Sequence, residues 1–158
     1  MKITIFSDSH GDVDIMCRAV DKEMPDMIIH LGDYVRDAQA LQIEYPDIQV
    51  YNVPGNRDKA SSTDVTEWMT LCGRSFMLTH GHIFKVKSGT LDLFKYGVQN
   101  GADIILFGHT HEAFIRCRNG RWMMNPGRIG RQAGIATDTS YGILNISADN
   151  IRWEFQVC

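Results

Sequence analysis

The sequence predicts an α/β fold in which two mixed sheets pack face to face and the helices lie outside. Three observations favour this class. In the first half of the chain, short β-branched runs alternate with helical patterns, which is typical of a parallel sheet. The second half adds a hairpin, one helix and a series of short strands. The length of 158 residues suits a single domain, residues 1–158, with its own buried core.

The first half contains three predicted strands and two predicted helices. The strands are Lys2–Phe6, Met27–Leu31 and Ile48–Val53. Asp12 is expected to cap a helix that runs to about Lys22, because a carboxylate at this position can accept from the free N–H groups of the first turn. A second helix, Ala38–Tyr45, is expected to stop before Pro46, since proline disfavours helical backbone in the residue before it.

The second half begins with a predicted hairpin at Cys72 and Gly73, followed by a helix over Thr90–Asn100 that Gly101 terminates. The hairpin strands are Glu67–Leu71 and Ser75–His80. Asp103–Gly108 is the next predicted strand. Four further strands are expected to form an antiparallel run: Ala113–Cys117, Arg121–Asn125, Tyr141–Ile146 and Ile151–Val157.

Composition and charge exclude several classes of function. The formal net charge of -3 argues against a general grip on nucleic acid, which needs a basic face. No apolar run approaches the ~20 residues of a membrane-spanning helix, and the first residues enter a strand pattern without a signal peptide. The scattered cysteines, Cys17, Cys72, Cys117 and Cys158, predict reduced thiols and a cytoplasmic location. A homo-oligomer is left open.

Polar side chains follow five of the predicted strands, at the point where each strand ends. In open α/β sheets, ligands bind beyond the carboxyl ends of the strands, so these five ends can converge on one place. The clusters are Asp8-Ser9-His10, Gly32-Asp33, Gly55-Asn56-Arg57-Asp58, His80-Gly81-His82 and Gly108-His109-Thr110-His111.

The residue types in these clusters indicate a metal site. Five of the six histidines lie in them, and mixed oxygen and imidazole ligands suit Mn, Fe, Zn or Ni better than Mg or Ca alone. At the end of a strand, His109 and His111 are expected to face the same way because alternate residues of a strand do. The glycines allow sharp backbone turns beside the ions.

Each cluster also has a simpler interpretation. An Asp-x-His segment can be a helix cap, and Gly-Asn-Arg-Asp can be a turn. His30 lies inside a strand, so it either supports a ligand from behind or is a satisfied core histidine. His82 either faces the substrate or hydrogen-bonds a neighbour. Only the conjunction of all five clusters at strand ends favours a joint metal site.

These five clusters, in this order, resemble the motifs of the calcineurin-like metallophosphoesterase superfamily. The family pattern is D-x-H, G-D, G-N-[H/C]-[D/E], H-G-H and G-H-x-H, and it is matched from Asp8 to His111 with little inserted between motifs. Asn125–Arg128, NPGR, resembles the N-P-G-S of small bacterial and archaeal phosphodiesterases of this kind. The resemblance implies a four-layer α/β/β/α sandwich.

The resemblance also implies a binuclear metal site. Asp8, His10 and His111 would bind one ion, Asn56, His80 and His109 the other, and Asp33 would bridge the two. Manganese is expected first, with Ni, Fe, Zn or Mg as alternatives. The implied activity is hydrolysis of small phosphodiesters by a hydroxide that bridges the two ions. Asn56, His80 and Arg57 would take part in catalysis.

Arg57 departs from the family pattern, because many members carry a histidine after Gly-Asn. A histidine can protonate the leaving oxygen, whereas arginine stays charged and can only hold a phosphoryl oxygen. We therefore expect a preference for esters with good leaving groups. The alternative is a surface turn of Arg57 and Asp58. A further five arginines between Arg116 and Arg131 either surround the site entrance or lie on a solvated strand face.

Three other functions compete with the phosphodiesterase. A non-catalytic scaffold is one, since the retromer subunit of eukaryotes looks like this fold but has lost ligands. A nuclease and a phosphomonoesterase are the others. The presence of all seven implied ligands favours an enzyme, and the net charge of -3 counts against a nuclease.

Overall fold

The computed structural model describes residues 1–58, 65–131 and 139–158. Within these residues it contains ten strands and three α-helices. The strands are β1 (Lys2–Phe6), β2 (Met27–His30), β3 (Gln49–Asn52), β4 (Thr66–Leu71), β5 (Arg74–Thr79), β6 (Ile104–Leu106), β7 (Ala113–Arg118), β8 (Arg121–Pro126), β9 (Ser140–Ile146) and β10 (Ile151–Val157). The helices are α1 (Val13–Glu23), α2 (Val35–Glu44) and α3 (Leu91–Gln99).

The strands form two five-stranded mixed sheets, which confirms the predicted fold class. The first sheet has the order β10-β9-β1-β2-β3, and β1, β2 and β3 run parallel. The second has the order β4-β5-β6-β8-β7, and β5, β6 and β8 run parallel. The carboxyl ends of β1, β2 and β3 therefore share one edge of the first sheet, and those of β5 and β6 share one edge of the second.

The predicted antiparallel run of four strands is wrong as a single unit. The β7–β8 hairpin joins the second sheet, where β8 is parallel to β6, whereas the β9–β10 hairpin joins the first sheet, where β9 is antiparallel to β1. The two hairpins carry similar local patterns, because both turn apolar residues such as Met124 and Leu144 towards the same core. Local patterns do not distinguish the two sheets that face this core.

Three apolar clusters separate the four layers. Side chains alternate across each sheet, so Ile3 and Ile5 of β1 face the other sheet whereas Phe6 faces α1 and α2. In the second sheet, Ile104 and Leu106 point into the core between the sheets. Ile105 lies in a third cluster, which includes Leu93 of α3. The order helix, sheet, sheet, helix is the predicted sandwich.

The N-termini of two helices differ from the prediction, α1 in its capping hydrogen bond and α2 in its first residue. Asp12 is the N-cap residue of α1, but its side chain makes no capping hydrogen bond and instead accepts from the backbone N–H of Arg131 at 3.4 Å. Helix α2 begins at Val35, three residues before the predicted Ala38, because the Asp58 carboxylate accepts from the Val35 N–H at 2.9 Å. This cap comes from a residue distant in sequence, so no local signal marks it.

The state of the cysteines and the length of the helices can be compared with the sequence-based expectations. All four cysteines, which lie in the described part of the chain, are free thiols. None of the helices in that part is long and apolar enough to span a membrane.

Candidate metal centre

The five polar clusters meet at the adjoining edges of the two sheets. The backbone holds the turns in register: the Asp8 N–H donates to the Gly32 carbonyl at 2.7 Å, and the Gly108 N–H donates to the carbonyl of His80 at 3.1 Å. Each turn follows its strand directly, as the sequence predicts. The site is therefore built from both sheets and from five separate segments.

One group of donors consists of Asp8, His10 and His111. Their ligand atoms all lie within 4.8 Å of one another, and no other three His, Cys, Asp or Glu residues in the described part of the chain meet this condition. Asp8 Oδ1 lies 3.3 Å from His111 Nε2. The rings of His10 and His111 stand edge to face, with centroids 5.3 Å apart.

A second group consists of Asn56, His80 and His109. His80 Nε2 lies 3.1 Å from Asn56 Oδ1 and 3.2 Å from His109 Nδ1. His80 Nδ1 lies 2.6 Å from the Leu31 carbonyl oxygen. Because a carbonyl can only accept, Nδ1 carries the proton and the lone pair of Nε2 points into the site.

Asp33 lies between the two groups. Its Oδ2 is 3.5 Å from His10 Nδ1, and its Oδ1 is 3.8 Å from His80 Nε2. The carboxylate is 2% exposed. One oxygen thus faces each group of donors.

The backbone at the site adopts a conformation that sequence reasoning missed. Asp8, His10, His109 and His111 all have positive φ, between 51° and 70°. Non-glycine residues rarely take this left-handed conformation. The strand alternation used to bring His109 and His111 to one place does not apply, because β6 ends at Leu106 and both histidines lie on a left-handed turn.

Gly108 is required for this turn by close approach. A Cβ atom at Gly108 would lie 1.9 Å from Ser7 Oγ and 3.2 Å from Asp8 Oδ2. The turn that carries His109 and His111 can thus pack directly on the turn that carries Asp8. The His109 N–H donates to Asp8 Oδ2 at 2.9 Å and fixes this contact.

The donor set fits a cation. Among the described residues, Asp8 Oδ1 and His10 Nε2 are buried polar atoms without a hydrogen-bond partner. Asn56 Oδ1 and His80 Nε2 both present lone pairs to the same space, which is the arrangement of two ligands of one ion. An unpartnered carboxylate oxygen and an unpartnered imidazole nitrogen within one cluster of donors are chemically suited to a cation.

Electrostatics keep the donors in the forms that bind metal. Burial alone would raise the pKa of Asp8, but His111, His80 and Ser7 lower the pKa to about 2. Burial, together with the neighbouring His80 and Lys87 side chains, lowers the pKa of His109 to about 4. At neutral pH, Asp8 is therefore an anion and His109 a neutral imidazole, and both can donate a lone pair.

A buried network, which sequence reasoning missed, holds the turn that carries His10. The Gly32 N–H donates to His30 Nδ1, so His30 Nε2 carries the proton and donates to Ser9 Oγ at 2.9 Å. Ser9 in turn donates to Asp37 Oδ2 at 2.6 Å, and Asp37 also accepts from the Gly11 N–H at 2.8 Å. His30 is thus a satisfied buried histidine that supports the site from behind. No spacing or motif connects Asp37 to this turn.

Asn125 of the NPGR segment supports the other histidine turn. Its side-chain amide donates to the Gly108 carbonyl at 2.8 Å and to Thr110 Oγ1 at 3.0 Å. Asn125 is fully buried. The sequence singled out this segment but did not predict the contact.

Arg57 lies at the edge of the site. Its Nε is 3.0 Å from Asp33 Oδ2, and its side chain is 51% exposed. Hydrogen bonding to Tyr34 and the charge of Asp33 raise the pKa of Arg57, so the guanidinium stays charged. Asp58 does not pair with it, because Asp58 accepts from the Val35 and Gly55 N–H groups. Gly55 to Asp58 nevertheless form a surface turn, because the Asp58 N–H donates to the Gly55 carbonyl at 3.2 Å and Arg57 is exposed. The alternative interpretation therefore holds for the backbone, while the Arg57 side chain reaches Asp33.

His82 and the five arginines occupy different places. His82 is half-buried, and its ring lies 5.5 Å from that of His80 and 6.2 Å from that of His109. The arginines do not surround the site as a group. Arg121 pairs with Asp103, Arg128 is buried, Arg131 approaches Asp12, and Arg116 and Arg118 are exposed on β7.

The fold and the site together define a class of protein: an α/β sandwich with a histidine–aspartate metal centre where its two sheets meet. Residues 1–149 match the model of the calcineurin-like phosphoesterase superfamily domain, and the chain belongs to that family. Within it, the chain falls in the branch of small prokaryotic phosphodiesterases.

Two curated relatives and one solved structure illustrate the likeness. The probable metallophosphoesterase YsnB of Bacillus subtilis is 33% identical over 94% of this chain and 86% of its own length. Phosphodiesterase MJ0936 of Methanocaldococcus jannaschii is 26% identical over 96% of this chain and 97% of its own length. The crystal structure of Vps29 from Entamoeba histolytica complexed with zinc superposes with a TM-score of 0.77 at 18% identity, over 99% of both chains.

Proposed function

We propose that the chain is a binuclear metal-dependent phosphodiesterase that hydrolyses small phosphodiesters. One observation carries the proposal: seven donors from five strand ends lie in one place, with Asp33 between two groups of three. Asp8, His10 and His111 would bind one ion, and Asn56, His80 and His109 the other. The similarity to the phosphodiesterase MJ0936 supports the choice of diesters.

The residues of the chain supply distinct parts of the chemistry. When bound, two divalent ions would activate water and neutralise charge on the phosphate. Asn56 offers a neutral oxygen, so the pocket is less anionic than an all-carboxylate site and accepts an anionic ester more readily. Arg57, half-exposed beside Asp33, is placed to hold a phosphoryl oxygen with its fork of donors.

A hydrolysis screen tests the proposal. Purified protein would be assayed with bis(p-nitrophenyl) phosphate and p-nitrophenyl phosphate in Mn²⁺, Ni²⁺, Mg²⁺ or chelator. We expect turnover of the diester above the monoester, its loss in chelator, and the highest rate with Mn²⁺. Absence of turnover with every metal would overturn the proposal and favour the scaffold. A monoester rate above the diester rate would instead make the chain a phosphomonoesterase.

A further inference from the structure

A groove leads away from the candidate metal centre along the outer face of the second sheet. It lies between β7 on one side and the segment 86–91 with the start of α3 on the other. Three adjoining cavities of roughly 290, 330 and 360 Å³ make it up. The first and second share Thr90, and the second and third share Phe94. We call this feature the β7 groove.

One end of the β7 groove reaches the turn that carries two of the candidate ligands. Thr110, which lines its first cavity, stands between His109 and His111. Lys87 lines the same cavity, and its charge reaches His109. The groove therefore ends beside the turn that carries His109 and His111.

The groove is positively charged, although the protein as a whole carries -3. Lys87 lines the first cavity, Arg116 and Arg118 the second, and Lys95 the third, against one acid, Glu112, in the first. A concave surface with an excess of one charge raises the local concentration of the opposite charge. The charge of the lining therefore favours an anionic ligand over a neutral or cationic one.

Aromatic rings alternate with these cations. Phe114, Arg116 and Arg118 point to the same face of β7, because successive residues of a strand alternate. The Arg116 guanidinium lies 5.3 Å from the centroid of the Phe114 ring, and that of Arg118 lies 5.9 Å from the centroid of Phe94. Rings and guanidinium planes beside a basic track are the features that bind single-stranded nucleic acid, by stacking on bases and pairing with phosphates.

We propose that the β7 groove binds the nucleotides next to the scissile phosphate of a short single-stranded oligonucleotide. From Ala113 to Arg118, β7 is roughly 16 Å long, which accommodates about two or three nucleotides. The inference rests on the proposed function, because the bound nucleotides would flank the ester that is cleaved at that site. Hydrolysis adds water across one P–O ester bond and yields a phosphomonoester and an alcohol, whose oxygen takes the proton.

Binding is tested without turnover, on metal-free protein. The thymidine trinucleotide pTpTpT would be titrated by calorimetry into the wild type, the double variant Arg116→Gln/Arg118→Gln, and the matched control Arg152→Gln. Arg152 is an exposed arginine on β10 of the other sheet, paired with Glu154 at 3.0 Å. We expect at least a tenfold weaker Kd for the double variant only. Its log Kd should also depend less on log salt, by roughly 1.4 in slope for two lost phosphate contacts.

Equal affinity of the wild type and the double variant would overturn the proposal. So would a thymidine mononucleotide that binds as tightly as the trinucleotide, because the groove would then not be used along its length. Circular dichroism spectra and urea midpoints of the variants establish that all three proteins are folded.

Turnover separates this inference from the proposed function. In Mn²⁺, the ratio of kcat/KM for the trinucleotide to that for bis(p-nitrophenyl) phosphate should fall at least tenfold in the double variant and stay unchanged in Arg152→Gln. A wild type that hydrolyses bis(p-nitrophenyl) phosphate but shows no gain from dinucleotide to trinucleotide would overturn the groove alone. A wild type that hydrolyses neither would overturn the proposed function, while the calorimetric result would stand.

Discussion

At the scale of single residues, the role of a side chain in the site can be tested by replacing it with one that differs in a single chemical property. Asp8 is an anion with one unpartnered oxygen, and Arg57 is a fixed cation beside Asp33. Each can be replaced by a residue of similar size that lacks one property. Such changes separate the roles of charge, metal binding and proton transfer.

Replacing Asp8 by asparagine should reduce metal affinity by roughly 100-fold or more, because loss of a ligand costs more than loss of a residue behind it. The change keeps the size of the side chain and removes its negative charge. Calorimetric titration of the metal-free protein with Mn²⁺ measures the effect. Asp14→Asn, an exposed carboxylate on α1, is the matched control and should bind as the wild type does. Similar affinities for both variants would remove Asp8 from the ligand set.

Replacing Arg57 by histidine should raise the rate on diesters with poor leaving groups by about 100-fold, the lower end of general acid catalysis. A histidine can protonate the leaving oxygen, whereas the guanidinium cannot. The measurement is kcat/KM across aryl and alkyl diesters that differ in leaving-group pKa. Arg57→Gln removes the cation without adding an acid, so its dependence on leaving group should match that of the wild type. An unchanged dependence in Arg57→His would contradict the role assigned to Arg57.

At the scale of elements, α3 approaches its sheet at a glycine. A Cβ atom on Gly97 would lie 2.4 Å from Ile105 Cδ1, and Ile105 is fully buried. Gly97 therefore sets the distance between α3 and β6, and with it one wall of the β7 groove.

Gly97→Ala should destabilise the protein by about 1 kcal/mol, because overpacking of about 1–3 kcal/mol outweighs the helix preference for alanine. Urea unfolding measures the change. On an Ile105→Val background, which removes Cδ1 but keeps Cγ1 at 2.8 Å, the same substitution should cost less than it does in the wild type. A double-mutant cycle with no coupling between the two positions would contradict the contact.

The elements also show how far sequence reasoning reaches. Strands β1, β2 and β5 and the polar residues after them were predicted, because buried strands and the turns that follow them have strong local patterns. The sheet that each late hairpin joins was not, since Met124 and Leu144 enter one core from opposite sides. The contact of Asp37 with the Ser9 turn and the cap of α2 by Asp58 were also missed, because both depend on contacts distant in sequence.

At the scale of the whole molecule, stability should depend on a histidine that binds no metal in our proposal. Burial lowers the pKa of His30 to about 4, against an ordinary value of 6.5. As the pH falls, the unfolded chain therefore takes up this proton before the folded protein does. Stability contributed by neutral His30 is complete above about pH 6.5 and is lost progressively down to about pH 4, by about 3 kcal/mol in total.

The replacement His30→Gln should make the unfolding free energy of the metal-free protein less dependent on pH over this range. Urea titrations in chelator at several pH values between 7 and 4.5 would compare the two proteins. His109 also has a lowered pKa and is present in both, so only the difference between the two pH profiles reports on His30. Parallel profiles would mean that His30 is not neutral and buried in the folded protein.

The left-handed backbone at four residues of the site lowers the stability of the protein. These residues are Asp8, His10, His109 and His111. Each position holds an L-residue in a backbone conformation that only glycine adopts without strain, and the strain costs about 1 kcal/mol or more of stability. A laboratory selection for heat resistance alone should therefore accept glycine at the three histidine positions, whereas the buried Asp8 also accepts two hydrogen bonds and should be kept. Variants that survive such a selection would have a higher melting temperature and a lower rate of phosphodiester hydrolysis.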